Sequence, residues 1–156
     1  MHVPCRRACS DPATQGSHCL IATPVIVAYH RRAMAHVLVI DDNQDVRDLI
    51  QFILEGAGYS VELAPDGAAG LRSQRARPAD VVITDIFMPN QDGLETIARL
   101  REEYPGVRVV AMSGGGGSGI KGGGCLSTAR EVGAHAVLPK PFDLDQLLRA
   151  VGDVSH

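Results

Sequence analysis

Asp41 and Asp42 stand side by side after one short apolar run, Asp85 follows a second, Ser113 a third, and Lys140 a fourth. A single carboxylate after a strand is commonly a helix cap or a loop former. Three that meet in one crevice are different, because like charges a few ångström apart repel and raise one another's pKa unless a cation compensates. Lys140 supplies one positive charge. A hard divalent cation with oxygen ligands would supply the rest, and Mg2+, which keeps several waters and is held by one or two carboxylates, suits that chemistry.

Those five residues meet only if the runs before them are parallel strands. Val37 to Ile40 reads as a buried strand, and Val46, Leu49, Ile50 and Ile53 then fall on one face of a helix ending near Gly56 or Gly58. Ser60 to Leu63 is a second strand, and a weak helix from Gly67 to Ala76 stops before Pro78. Val81 to Thr84 is the third strand, followed by a helical stripe of Leu94, Ile97 and Leu100 with Glu95 and Arg99 as an i, i+4 pair. Pro105-Gly106 turns the chain into a fourth strand, Val107 to Met112. Beyond a glycine tract, Leu126, Ala129 and Val132 suggest a helix, and Ala136 to Leu138 a fifth strand. The last helix opens at Asp143, answered by Gln146 three positions on, and is expected to bury Leu144, Leu147, Leu148 and Val151.

Apolar strands alternating with helices imply an α/β fold: a doubly wound, five-stranded parallel sheet with helices on both faces. Ligands of such folds bind beyond the carboxyl ends of the strands. All five candidate side chains lie at that edge.

Composition agrees with one globular domain. The chain has 156 residues, nearly half of them apolar, and a mild net charge of -3. The charge is uneven: residues 1 to 33 carry Arg6, Arg7, Arg31 and Arg32 against Asp11 alone, leaving an acidic body that does not suit direct nucleic-acid binding through a broad basic face. The apolar run from Leu20 to Tyr29 is short for a bilayer and contains Pro24, so no membrane span is expected. Ala33-Met34-Ala35 imitates a signal cleavage site, but Asp11 precedes the apolar run and His30-Arg31-Arg32 follows it. Residues 1–33 are therefore read as a disordered tail or an upstream over-read, with Met34 as the start of the domain, 34–156. Cys5, Cys9, Cys19 and Cys125 give neither a disulfide framework nor a zinc spacing.

Taken in order, Val37 to Asp42, Val81 to Pro89 with Asp92-Gly93, Ser113, and Leu138 to Phe142 resemble the receiver domains of bacterial two-component response regulators, over about Ala35 to Gly152. The resemblance implies a flavodoxin-like strand order of 2-1-3-4-5 and a phosphoacceptor signalling domain rather than an enzyme acting on a separate substrate. By position, Asp85 would take a phosphoryl group from the phosphohistidine of a sensor histidine kinase or histidine phosphotransfer protein. Asp42 would bind Mg2+ directly, Asp41 through water, and the backbone carbonyl of Phe87 would be a further ligand. Ser113 would bond a phosphoryl oxygen, Lys140 would pair with it, and the Lys140-Pro141 bond would be cis. It also implies a cytoplasmic location and a downstream protein target, and the end of the sequence just after the fifth helix suggests a receiver without an output domain.

Two features depart from that pattern. Val137 stands where receivers usually carry the aromatic side chain of their signalling switch. Gly114 to Gly124 is a glycine-rich tract, read as a flexible loop. Gly114, Gly116 and Gly119 satisfy G-x-G-x-x-G, but a glycine run does so by default, and the strand-end acid about 20 residues on that a dinucleotide site needs is missing. Phosphatases resembling haloacid dehalogenases need a second acid two residues after the nucleophile, and Phe87 occupies that place.

Overall fold

In the computed structural model, residues 35–88, 93–114 and 121–155 are described, those at 121–126 by backbone only. Ten elements alternate: β1 (His36–Ile40), α1 (Gln44–Gly56), β2 (Ser60–Ala64), α2 (Gly67–Ala76), β3 (Val81–Asp85), α3 (Gly93–Glu103), β4 (Arg108–Gly114), α4 (Lys121–Val132), β5 (Ala136–Lys140) and α5 (Leu144–Val154). The strands form one sheet in the order β2-β1-β3-β4-β5, and every pairing is parallel. Each helix therefore returns the chain from the carboxyl edge of the sheet to its amino edge. The described chain enters β1 and leaves α5 at the amino edge.

Alternation along the strands builds a core on each face. Leu38, Ile40 and Val82 pack with Leu71, Ile97, Leu100 and Ala129 of α2, α3 and α4. Val37, Val39, Val81 and Ile83 pack with Ile50, Leu54, Leu147 and Val151 of α1 and α5. Both faces of β1 and β3 are buried, as expected for central parallel strands. Burying each such aliphatic side chain contributes roughly 1.5–3 kcal/mol.

Helix starts are set by side-chain acceptors. Asn43 caps α1 by accepting from the Asp45 and Val46 N–H groups, and Asp66 caps α2. Asp143 and Gln146 close the anticipated capping box on α5. At Gly93, the first residue of α3, an added Cβ would strike the Asp85 carbonyl and come within 2.6 Å of Ile86 Cα. Only glycine lets α3 begin so close to the end of β3.

The structure corrects several expectations. Leu49 and Leu144 were placed on buried faces, yet they are 53% and 52% exposed, while Leu54 fills the core. The rest of the α1 stripe holds, Val46, Ile50 and Ile53 packing into the core, and Leu49 lies at the edge of a broad apolar arc that Leu54 closes on its other side. Arg99 pairs with Glu103 rather than Glu95, and Glu103 also pairs with Arg75 of α2. Helix α4 begins at Lys121, so the end of the glycine tract is helical despite glycine's poor propensity. Pro89, Asp92, Gly116, Gly119 and the segment 1–33 lie outside the described residues.

Candidate functional site

The parallel register places Asp41 just beyond β1, Asp85 at the end of β3, Ser113 near the end of β4 and Lys140 at the end of β5. One oxygen from each of Asp41, Asp42 and Asp85 can be chosen so that all lie within 4.8 Å of one another. Asp41 is fully buried and Asp85 nearly so, while Asp42 is exposed. Lys140 Nζ bridges the two buried acids, donating to Asp41 Oδ2 at 2.6 Å and to Asp85 Oδ2 at 2.9 Å. The Lys140–Pro141 peptide bond is cis.

Burial alone would pull the Lys140 ammonium down, but its hydrogen bonds to Asp41 and Asp85 and their charges outweigh that, leaving its pKa above the ordinary lysine value. It is therefore a permanent cation across the neutral range. One ammonium against three carboxylates still leaves the crevice electronegative.

The remaining acceptors are partly committed. Asp41 Oδ1 accepts from the Asn43 N–H at 2.9 Å, and Asp85 Oδ1 from the Phe87 N–H at 3.1 Å. The Ser113 hydroxyl is 2% exposed as a residue and has no hydrogen-bond partner among the described residues. A buried hydroxyl without a partner is costly, and the only other such side-chain atom among the described residues is His36 Nε2, at the opposite edge of the sheet. Oxygen donors of three carboxylates close enough to share one ion are the donor set that a hard divalent cation requires. The residues present thus fit Mg2+.

Asp41, Asp42, Asp85 and Lys140 are brought together here, Ser113 stands near the end of the adjacent strand β4, and Phe87 lies two residues past Asp85, half-exposed, with its N–H on the Asp85 carboxylate. Val137 is half-buried against the α2, α3 and α4 core. Sequence reasoning missed Arg47, whose Nη1 donates to the Asp41 carbonyl at 2.7 Å. It also missed Asn43, whose place just before a helical stripe was the available cue for a cap.

Comparison with known proteins agrees with this geometry. The profile of the response regulator receiver domain matches residues 37–152. The chain belongs to that family, and it is a phosphoacceptor signalling module of the two-component type with an acidic metal-site cluster. The transcriptional regulatory protein GlrR of Escherichia coli is 33% identical over 119 residues, which are 76% of this chain and 26% of that protein. Response regulator MprA of a Mycobacterium species is 35% identical over 72% of this chain and 46% of its own length. Among solved structures, chemotaxis protein CheY4 of Vibrio cholerae superposes with a TM-score of 0.69 at 31% identity, over 78% of this chain and 99% of that one. A receiver domain protein of Clostridium thermocellum gives 0.70 at 30% identity, over 78% and 94%. The chain spans about a quarter of the length of the first curated relatives it matches. Receiver domains work with histidine kinases. No helix among the described residues is long and apolar enough to cross a membrane.

Proposed function

We propose that Asp85 is the phosphoryl acceptor and that the crevice holds Mg2+ on Asp42 and Asp85 directly, on the Phe87 carbonyl, and on Asp41 through water. The observation that carries this reading is Lys140 Nζ spanning Asp41 and Asp85, with Asp42 close enough to share an ion with both. A carboxylate oxygen of Asp85 forms the new bond to phosphorus while the bond to the donor's imidazole nitrogen breaks in line, and the histidine leaves with the electron pair. Such transfers pass through a loose transition state, so the protein's work is positioning and neutralisation of charge. Lys140 turns from its carboxylates toward a phosphoryl oxygen, and Ser113 donates its hydroxyl proton to another. Mg2+, when bound, neutralises charge on the phosphoryl oxygens and the carboxylates.

The donor in this reading is a cytoplasmic sensor histidine kinase or histidine phosphotransfer protein, and the output is altered binding of a downstream protein target, with no direct contact to nucleic acid or membrane. In the same reading the domain is taken to start at Met34, and a chain shortened to that start should melt as the full chain does. The central test is labelling by a small acyl phosphate with Mg2+. The native chain should gain one base-labile phosphoryl group, and Asp85→Asn none. Undiminished labelling of Asp85→Asn would overturn the assignment.

A further inference from the structure

The peptide that joins Asp41 to Asp42 sets the relative directions of two of the three acids. Its carbonyl, that of Asp41, is held at 2.7 Å by Arg47 Nη1 from the second turn of α1. The same turn is held elsewhere by the Asn43 N–H on Asp41 Oδ1 and by the Asp41 N–H on the Ala64 carbonyl at 3.2 Å. Asp42 itself is exposed, and among the described residues its side chain makes no hydrogen bond or ion pair. Its direction therefore depends on the backbone plane before it. Arg47 is half-buried, so its stem lies against the protein, and no carboxylate among the described residues forms an ion pair with it. A guanidinium committed to a backbone carbonyl rather than to a nearby acid is a brace on that peptide.

We propose that Arg47 is a positioning residue for the divalent cation: by clamping the Asp41–Asp42 peptide it holds Asp42 toward Asp85 in a geometry that Mg2+ can use. The inference rests on the reading of the crevice as a Mg2+ site. Mg2+ demands near-ideal octahedral geometry, so it is sensitive to the tilt of one ligand. Partners that orient ligands without touching the ion matter correspondingly, their loss lowering metal affinity about 10- to 100-fold.

The test is calorimetric titration of the full chain with Mg2+ alone, beside its melting temperature in chelator. Arg47→Met keeps the aliphatic stem and removes the donors, and it should weaken Mg2+ binding about tenfold. Arg47→Lys keeps one donor and should recover most of that loss. Labelling by a small acyl phosphate should half-saturate at a correspondingly higher Mg2+ concentration in Arg47→Met. A melting temperature that falls while Mg2+ affinity stays native would show a merely structural arginine and overturn the proposal, as would Arg47→Lys binding no better than Arg47→Met. A native chain that binds no Mg2+ would instead sink the reading of the crevice itself.

Discussion

The two edges of the sheet use polar residues in opposite ways. At the amino edge several of them close backbone bonds, although the buried His36 Nε2 has no hydrogen-bond partner among the described residues. Asp80 Oδ2 accepts the His36 N–H at 2.8 Å, the buried Gln74 amide grips both the N–H and the carbonyl of Ala79, and His135 Nδ1 accepts the Val109 N–H at 3.0 Å. At the carboxyl edge like charges face one another, one ammonium serves two acids, and a buried hydroxyl lacks a partner. The clustered charge is confined to one edge, whereas the polar groups of the other mostly serve the backbone. Stability and function should therefore separate along the strand direction.

The sharpest break of that comparison would come from Asp85→Asn. It should abolish phosphoryl labelling while raising stability by roughly 1 kcal/mol, because it removes one charge from an over-acidic cluster. Denaturant melts beside the labelling assay measure both, and a destabilised variant would show that Asp85 is part of the scaffold. At the opposite edge Gln74→Leu leaves the Ala79 N–H and carbonyl unpaired and should cost about 3 kcal/mol with labelling intact. Lost labelling in a chain that remains folded would mean the edges are not independent.

Mg2+ should stabilise the native chain by about 2.7 kcal/mol at a hundredfold excess over its Kd. Asp42→Asn should lose most of that rise in melting temperature, and an undiminished rise would place the ion elsewhere.

The smallest effect concerns pH. Burial, then the charges of Arg101 and Arg108, hold the His135 pKa below the ordinary histidine value. The native state thus disfavours the proton that the unfolded chain takes up. This contribution is complete above the unfolded pKa of about 6.5 and is lost as pH falls from there through the depressed native value. His135→Gln should flatten the stability profile in that acidic window without changing labelling. A profile as steep as that of the native chain would assign the pH dependence to other groups.

The fold and the main site were legible because both rest on strong signals: apolar runs ending in charged or hydroxyl residues, at intervals that parallel crossovers require. What escaped was set by tertiary context. Arg47 in a sequence is one more arginine on a helix, and its bond to a carbonyl six residues back depends on how the β1–α1 turn folds. Gln74 carries no signal in the sequence, yet it is buried, its amide bonded to both the N–H and the carbonyl of Ala79. On α1 the apolar arc runs past the buried face to the exposed Leu49 and Phe52, so where burial stops along it could not be read from periodicity. The helical start of α4 contradicts local propensity, which argued for loop through Gly124.

The entry of the chain into β1 and its exit from α5 at the same edge carry an architectural consequence. Sequence appended before β1 or after α5 is launched away from the acidic crevice, so the unit can be spliced into larger assemblies without crowding the mouth of its pocket. That is a plug with both leads on its back. It accounts in geometric terms for how a unit of this shape can make up all of one relative and a quarter of another.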